Sequence, residues 1–231
     1  MDRCVRPEIL DELPPDDPRA VGSRRDLEKV NASMGNADIV ARELQRVLGA
    51  TPPGALAEIG AGDGRFALRV ARRLAPSWNG AALALVDRVE AVEDRTLREF
   101  QSLNWRVDVC AADVFQWLER AESGRFAAVF ANLFLHHFSD GALRELLREV
   151  SSRTRVFIAV EPRRSAWCWC MSRTLWFLGC NSVTRHDAPV SVRAGFAGRE
   201  LSALWPAGEG WELRERPAGA FSHLFVARRE A

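Results

Sequence analysis

The chain reads as an α/β domain on a mostly parallel sheet with an antiparallel edge, and three observations predict this. Short apolar runs, Ala55–Ile59, Ala82–Val86, Val107–Cys110, Phe126–Asn132 and Arg155–Glu161, alternate with helical patterns that start near Gly64, Ala91, Val114 and Asp140. The runs are continuously apolar, which marks strands buried on both faces, as a parallel sheet covered by helices requires. The last stretch differs: Trp211–Arg216 and Ser222–Arg228 are strand-like and separated only by Pro217-Ala218-Gly219-Ala220, close enough for an antiparallel hairpin. The 231 residues, 47% of them hydrophobic, suffice for one such domain with modest additions.

From the N-terminus, residues 1–20 are rich in Pro and Asp and read as an extended arm. Ser23-x-x-Asp26 resembles a capping box opening a helix with Leu27, Val30 and Met34 on one face. A second helix follows, with Asn36 as its candidate cap and a stripe of Ile39, Val40, Leu44, Val47 and Leu48. Gly49 and Pro52-Pro53 stop it. Residues 1–53 are therefore an arm and helical cap, and residues 54–231 are the α/β domain, with an insertion over about 162–197.

The first strand runs into Glu58-Ile59-Gly60-Ala61-Gly62-Asp63-Gly64, an acid and three alternate glycines at a strand-to-helix turn. Glycine lets a ligand approach the main chain closely, and the following helix offers free N–H groups. A dinucleotide site wants G-x-G-x-x-G, so that a pyrophosphate rests on the helix N-terminus, but Arg65 stands where the third glycine belongs. S-adenosyl-L-methionine (SAM) carries an ammonium and a sulfonium instead of phosphates, and Glu58 is an acid placed to meet positive charge. Ligands in an open parallel sheet sit over the carboxyl ends of the strands. Asp87, 25 residues after Gly62, closes the second strand as an acid for a ribose diol. Asp113 follows the third strand and Asn132 closes the fourth; an acid after a strand also caps the next helix, and Asp113 can do so. The cofactor-binding set read this way is Glu58, Gly60, Gly62, Gly64, Asp87, Asp113 and Asn132.

This order of elements resembles the class I SAM-dependent methyltransferases, a Rossmann-like sheet ending in a reversed strand, over residues 54–231. The resemblance implies that Asp113 reaches the adenine amino group while Val114 packs on the ring. Asn132 lacks the Pro-Pro-aromatic sequel of nucleic-acid amine methyltransferases. Leu135-His136-His137-Phe138-Ser139-Asp140 instead resembles the Leu-His-Asp-Trp-Ser-Asp stretch of plant-type phenolic O-methyltransferases. That likeness makes His136 the general base and Glu161 the acid orienting it. A histidine titrating near neutrality suits removal of a phenol proton. His137 is an alternative base. So is His186 in Arg185-His186-Asp187, unless that segment is a surface turn in which Asp187 caps the next segment. His223 reads as structural.

Pro7-Glu8-Ile9-Leu10-Asp11, Ser23-Arg24-Arg25-Asp26-Leu27, Met34-Gly35-Asn36, Glu161-Pro162-Arg163-Arg164, Thr184-Arg185-His186-Asp187 and Phe221-Ser222-His223 look like stand-alone bacterial methyltransferases associated with type III polyketide synthases. That resemblance implies O-methylation of a hydrophobic phenolic or polyketide-derived small molecule such as a phenolic lipid. C-methylation of a quinol and a non-catalytic partner of a polyketide enzyme are the alternatives. In this resemblance the N-terminal helices close over SAM, with Arg25, Met34 and Asn36 facing cofactor or acceptor.

Ala166–Gly179 is too apolar for an ordinary surface helix and too short to span a bilayer, which needs about 20 residues. Trp167, Met171, Leu175 and Leu178 share one helical face, Trp169 and Trp176 another. One face packs on the domain, leaving the other for an apolar ligand, a homodimer partner or a membrane surface. Net charge is +1, with 32 basic and 31 acidic residues and no dominant block, which disfavours nucleic acid as a partner. The five cysteines form an odd set, so reduced thiols in a cytoplasmic protein are expected, with Cys110 in a buried strand. Cys168-x-Cys170 has no second pair or histidine at ligand spacing, and no metal is expected. The acidic N-terminus has no apolar run that reads as a signal peptide.

Overall fold

A computed structural model describes every residue except 15, 123–125, 176–178, 209 and 231. The described residues form one seven-stranded sheet in the order β3-β2-β1-β4-β5-β7-β6. The strands are β1 (Leu56–Ile59), β2 (Ala82–Asp87), β3 (Arg106–Ala111), β4 (Ala128–Asn132), β5 (Val156–Pro162), β6 (Trp211–Ala218) and β7 (Ser222–Arg229). The first five pair in parallel, while β7 lies antiparallel between β5 and β6.

The helices are α1 (Ile9–Glu12), α2 (Pro18–Met34), α3 (Asn36–Leu48), α4 (Arg65–Leu74), α5 (Asp94–Ser102), α6 (Val114–Arg120), α7 (Asp140–Arg153), α8 (Ala166–Ser172), α9 (Ser182–Ala194) and α10 (Glu200–Leu204). Successive residues of a strand point to opposite faces, so β1 sends Leu56 into one core and Ala57 and Ile59 into the other. Val40 and Leu44 of α3 and Val70 and Leu74 of α4 fill the first core. Leu146 and Val150 of α7, with Leu118 of α6 and Trp205, fill the second. Two covered faces explain why the central strands are continuously apolar. β3 has only one neighbour and is not sealed, so Cys110 is half-buried rather than buried as expected.

Several local expectations are corrected. The arm is not extended throughout: α1 forms within it, and α2 starts at Pro18, where Asp17 accepts from the Arg19 N–H at 2.8 Å. Asp-Pro is a strong cap-plus-first-residue pair, and it displaces the capping box read at Ser23. Ser23 is buried in mid-helix, its Oγ 2.9 Å from Thr184 Oγ1. Asn36 does not cap α3, because Gly35, in the left-handed region at φ 68°, takes that place. The helix after β2 begins at Asp94, not near Ala91, and Pro217 is a strand residue, so the hairpin turns at 219–221. Pro217 lies in the edge strand β6, where a missing N–H costs little. Arg185-His186-Asp187 is no surface turn but part of helix α9, which has Pro189 inside it. The insertion begins with α8, shorter than the run of apolar residues; Trp167 stays 53% exposed while stacking on Phe221 at 5.0 Å. Trp176 and Leu178 lie outside the described residues.

Candidate active site

The loop after β1 turns on three left-handed glycines, Gly60 (φ 70°), Gly62 (φ 54°) and Gly64 (φ 73°). A Cβ on Gly60 would stand 2.3 Å from the Phe134 ring, whereas one on Gly62 would meet nothing within 4 Å. The first glycine is thus required by packing, and the second leaves the main chain open to a ligand. Asp87 ties the loop to β2: its Oδ2 accepts from the Gly62 N–H at 2.9 Å and its Oδ1 from the Val89 N–H at 3.0 Å. Glu58, Gly62, Asp87 and Asn132 all line one cavity of about 950 Å³, over the carboxyl ends of β1, β2 and β4.

Glu58 is almost wholly buried on this wall and its Oε2 has no hydrogen-bond partner. Burial, then the nearby charges of Asp63 and Asp87, push its carboxyl well above the usual range. A buried carboxyl with one unpartnered oxygen beside an open glycine loop fits a ligand that brings an ammonium group. Asn132 accepts from Asn36 Nδ2 at 2.8 Å, and Ser222 donates to Asn36 Oδ1 at 2.6 Å. The buried Asn36 therefore links α3, β4 and β7. Asp113 caps α6, accepting from the Phe115 N–H at 2.9 Å, and Val114 packs in the core; neither belongs to the cavity wall. Gly64 likewise faces Leu85 rather than the cavity.

At the other end of the cavity, β4 gives way to Leu133 at φ 53° and the 3-10 turn Leu135–His137. Glu161, fully buried at the end of β5, organises this turn. Its Oε1 accepts from the Phe134 and Leu135 N–H groups at 3.0 and 2.9 Å, and its Oε2 from the His136 N–H at 3.3 Å. The same Oε2 lies 2.8 Å from His136 Nδ1. His136 Nε2 faces Glu8 Oε1 at 3.5 Å. Burial lowers the His136 pKa, but the neighbouring carboxylates of Glu161 and Glu8 outweigh this and raise it to about 9. The expectation of a histidine titrating near neutrality is corrected accordingly. Glu8 shows the converse: burial raises its pKa, and His136, His137 and Ser191 bring it below the ordinary value.

The arm that carries Glu8 is firmly held. Asp187 accepts from the Ile9 and Leu10 N–H groups at 2.9 and 3.0 Å, and Ser191 donates to Glu8. Arg3 donates to the Ala194 and Phe138 carbonyls at 2.8 Å each, pairs with Asp140 and stacks on Phe196. Asp187 is therefore a buried cap for α1 rather than for the segment after it in the chain. His186, on the outer side of α9, is half-exposed, paired with Asp187 at 2.9 Å and outside the cavity wall, so it is withdrawn as a candidate base. His223 is buried against Glu215 at 2.8 Å, away from the cavity. His137 lines the cavity with Asp11 at 3.3 Å.

Sequence reasoning assigned no role to Glu8 and Asp11. Both stood within a quoted motif, and their spacing of three places them on one face of a helical turn. No helix among the described residues is long and apolar enough to cross a membrane.

Comparison with known proteins agrees with this geometry. Residues 56–155 match a family described as a methyltransferase domain. No curated protein matches the sequence. Among solved structures, an O-methyltransferase family protein from Burkholderia thailandensis is 16% identical, with a TM-score of 0.58 over 94% of this chain and 61% of its own. The mitomycin 7-O-methyltransferase is 17% identical, with a TM-score of 0.58 over 95% and 60%. An N,N-8-amino-8-demethyl-D-riboflavin dimethyltransferase from Streptomyces davawensis is 16% identical, with a TM-score of 0.59 over 97% and 62%. The chain spans about three fifths of the length of these structures. Over residues 56–155 it is similar to a methyltransferase domain, and its mostly parallel seven-stranded sheet has the α/β fold of these solved structures.

Proposed function

We propose that this protein is a cytoplasmic enzyme that transfers the methyl group of SAM to a hydroxyl of a hydrophobic phenolic small molecule of polyketide origin. The observation that carries this reading is His136 on the wall of the same cavity that Glu58 lines, held from behind by the fully buried Glu161. Bound SAM supplies a methyl group made electrophilic by its sulfonium. Glu58 meets the ammonium group, Gly62 gives the main chain close approach, Asp87 takes the ribose hydroxyls and Asn132 borders the methyl-transfer end.

His136, in its neutral form, takes the hydroxyl proton on Nε2, and Glu161 fixes the tautomer by accepting from Nδ1 and stabilises the imidazolium that forms. Leu27, Val30 and Met34 from α2, with Met171, Leu175 and Phe221, give the cavity an apolar side suited to a hydrocarbon substituent. Residues 1–53 act as a cap over the cavity that residues 54–231 build. The test is incubation with methyl-labelled SAM and a panel of alkyl-substituted phenols, then mass spectrometry and NMR of the product. Label on a phenolic oxygen is expected; label on ring carbon, nitrogen, protein or RNA refutes the reading.

A further inference from the structure

We propose that Glu8, His136 and His137 form a binding site for a borderline-soft divalent cation, Zn²⁺ above all, at the acceptor end of the cavity. This runs against the expectation of no metal, which rested on the cysteines. One ligand atom from each of the three residues lies within 4.8 Å of the others. Glu8 Oε1 and His136 Nε2 stand 3.5 Å apart, long for a charge-assisted hydrogen bond, which closes to about 2.7–2.9 Å. Bonds of about 2.0–2.2 Å at tetrahedral angles put neighbouring zinc ligands roughly 3.3–3.5 Å apart, the separation seen here.

Each of the three groups also has a partner of its own. Glu161 holds His136 Nδ1 at 2.8 Å, Asp11 lies 3.3 Å from His137 Nδ1, and Ser191 donates to Glu8. A carboxylate behind the ring nitrogen of a ligating histidine fixes the ring and raises its donor strength. Two imidazoles and one carboxylate suit zinc rather than magnesium or calcium, which favour all-oxygen sets. The ligands line the cavity, so a further coordination position opens toward the acceptor space. Asp187 and Ser191 fix Glu8 in place, so little ordering is needed to bind the ion. A bound cation occupies His136 Nε2, and zinc therefore competes with the acceptor. The competition, unlike the binding, rests on the proposed role of His136 as base.

The test is titration of chelator-stripped protein with Zn²⁺ by calorimetry, and with Co²⁺ by its visible spectrum. One ion per chain is expected, with a dissociation constant on the order of 10 μM or tighter and the intense bands of a four-coordinate cobalt site. His137→Ala and Glu8→Gln should each weaken binding at least about tenfold, and Asp11→Asn by about tenfold, while melting curves of the stripped variants show them folded. No binding at that concentration, or binding unchanged in His137→Ala and Glu8→Gln, overturns the site. In the methylation assay zinc should raise KM for the phenol and leave kcat alone; a fall in kcat at saturating phenol overturns the competition. A protein that binds zinc through these residues yet methylates no phenol refutes the methylation reading and leaves the site standing.

Discussion

Replacing Glu58 by Gln removes the charge of a buried cavity carboxyl whose Oε2 has no partner, while keeping its shape. A hydrogen bond to a charged group contributes about 1.5–3 kcal/mol, so SAM affinity should fall roughly 10- to 150-fold. The raised pKa of Glu58 adds a second signature. Burial keeps the carboxyl protonated to higher pH than an exposed Glu, and an incoming ammonium favours the ionised form, so SAM binding should release a proton. Affinity should therefore increase with pH, by at most about tenfold per unit, until the pH passes the raised pKa of the free protein. Calorimetry in buffers of different ionisation enthalpy reads both quantities. In Glu58→Gln the proton release should vanish along with the pH dependence. Affinity within twofold of the parent, or a proton release that survives the substitution, would refute the assignment of Glu58 to the cofactor.

His136→Ala should lose most turnover while calorimetric SAM affinity stays within threefold; near-normal rates would exclude His136 as base. In chelator-treated protein, kcat/KM should rise about tenfold per pH unit and level off near pH 9, because a base whose pKa is raised to about 9 is active only above it. Glu8→Gln removes one of the two carboxylates that raise that pKa, so the break should move to lower pH; an unmoved break would contradict the Glu8 contact. Gly60→Ala combines a left-handed backbone with a Cβ 2.3 Å from Phe134 and should destabilise the fold by about 2–4 kcal/mol, read as a lower thermal midpoint.

What was legible in the sequence was local. Glu58, the three glycines and Asp87 are legible because strand, turn and helix succeed one another directly, and strand periodicity puts Asp87 at a strand end beside the loop. The pairing of His136 with Glu161 came through resemblance, since nothing in either segment alone encodes a contact across 25 positions. Asn36 shows the opposite failure. A polar residue at a helix start reads as a cap, and only the folded chain reveals that its amide is spent on Asn132 and Ser222. Asp11 lies in, and Glu8 just before, a helix of four residues, too short for any apolar stripe to announce it. Asp113 fits both readings locally; in the fold it caps α6, and its neighbour Val114 is needed by the core.

The grip of Arg3 and Asp187 on the first dozen residues bears on biosynthesis. The carboxylate facing His136 is synthesised before its anchors, which lie on α9 and around Phe138. A nascent chain that has not yet made α9 has the glycine loop but lacks the side chains that hold Glu8 against His136. For the same reason a segment inserted just before Arg3 would press on the wall that carries Glu8.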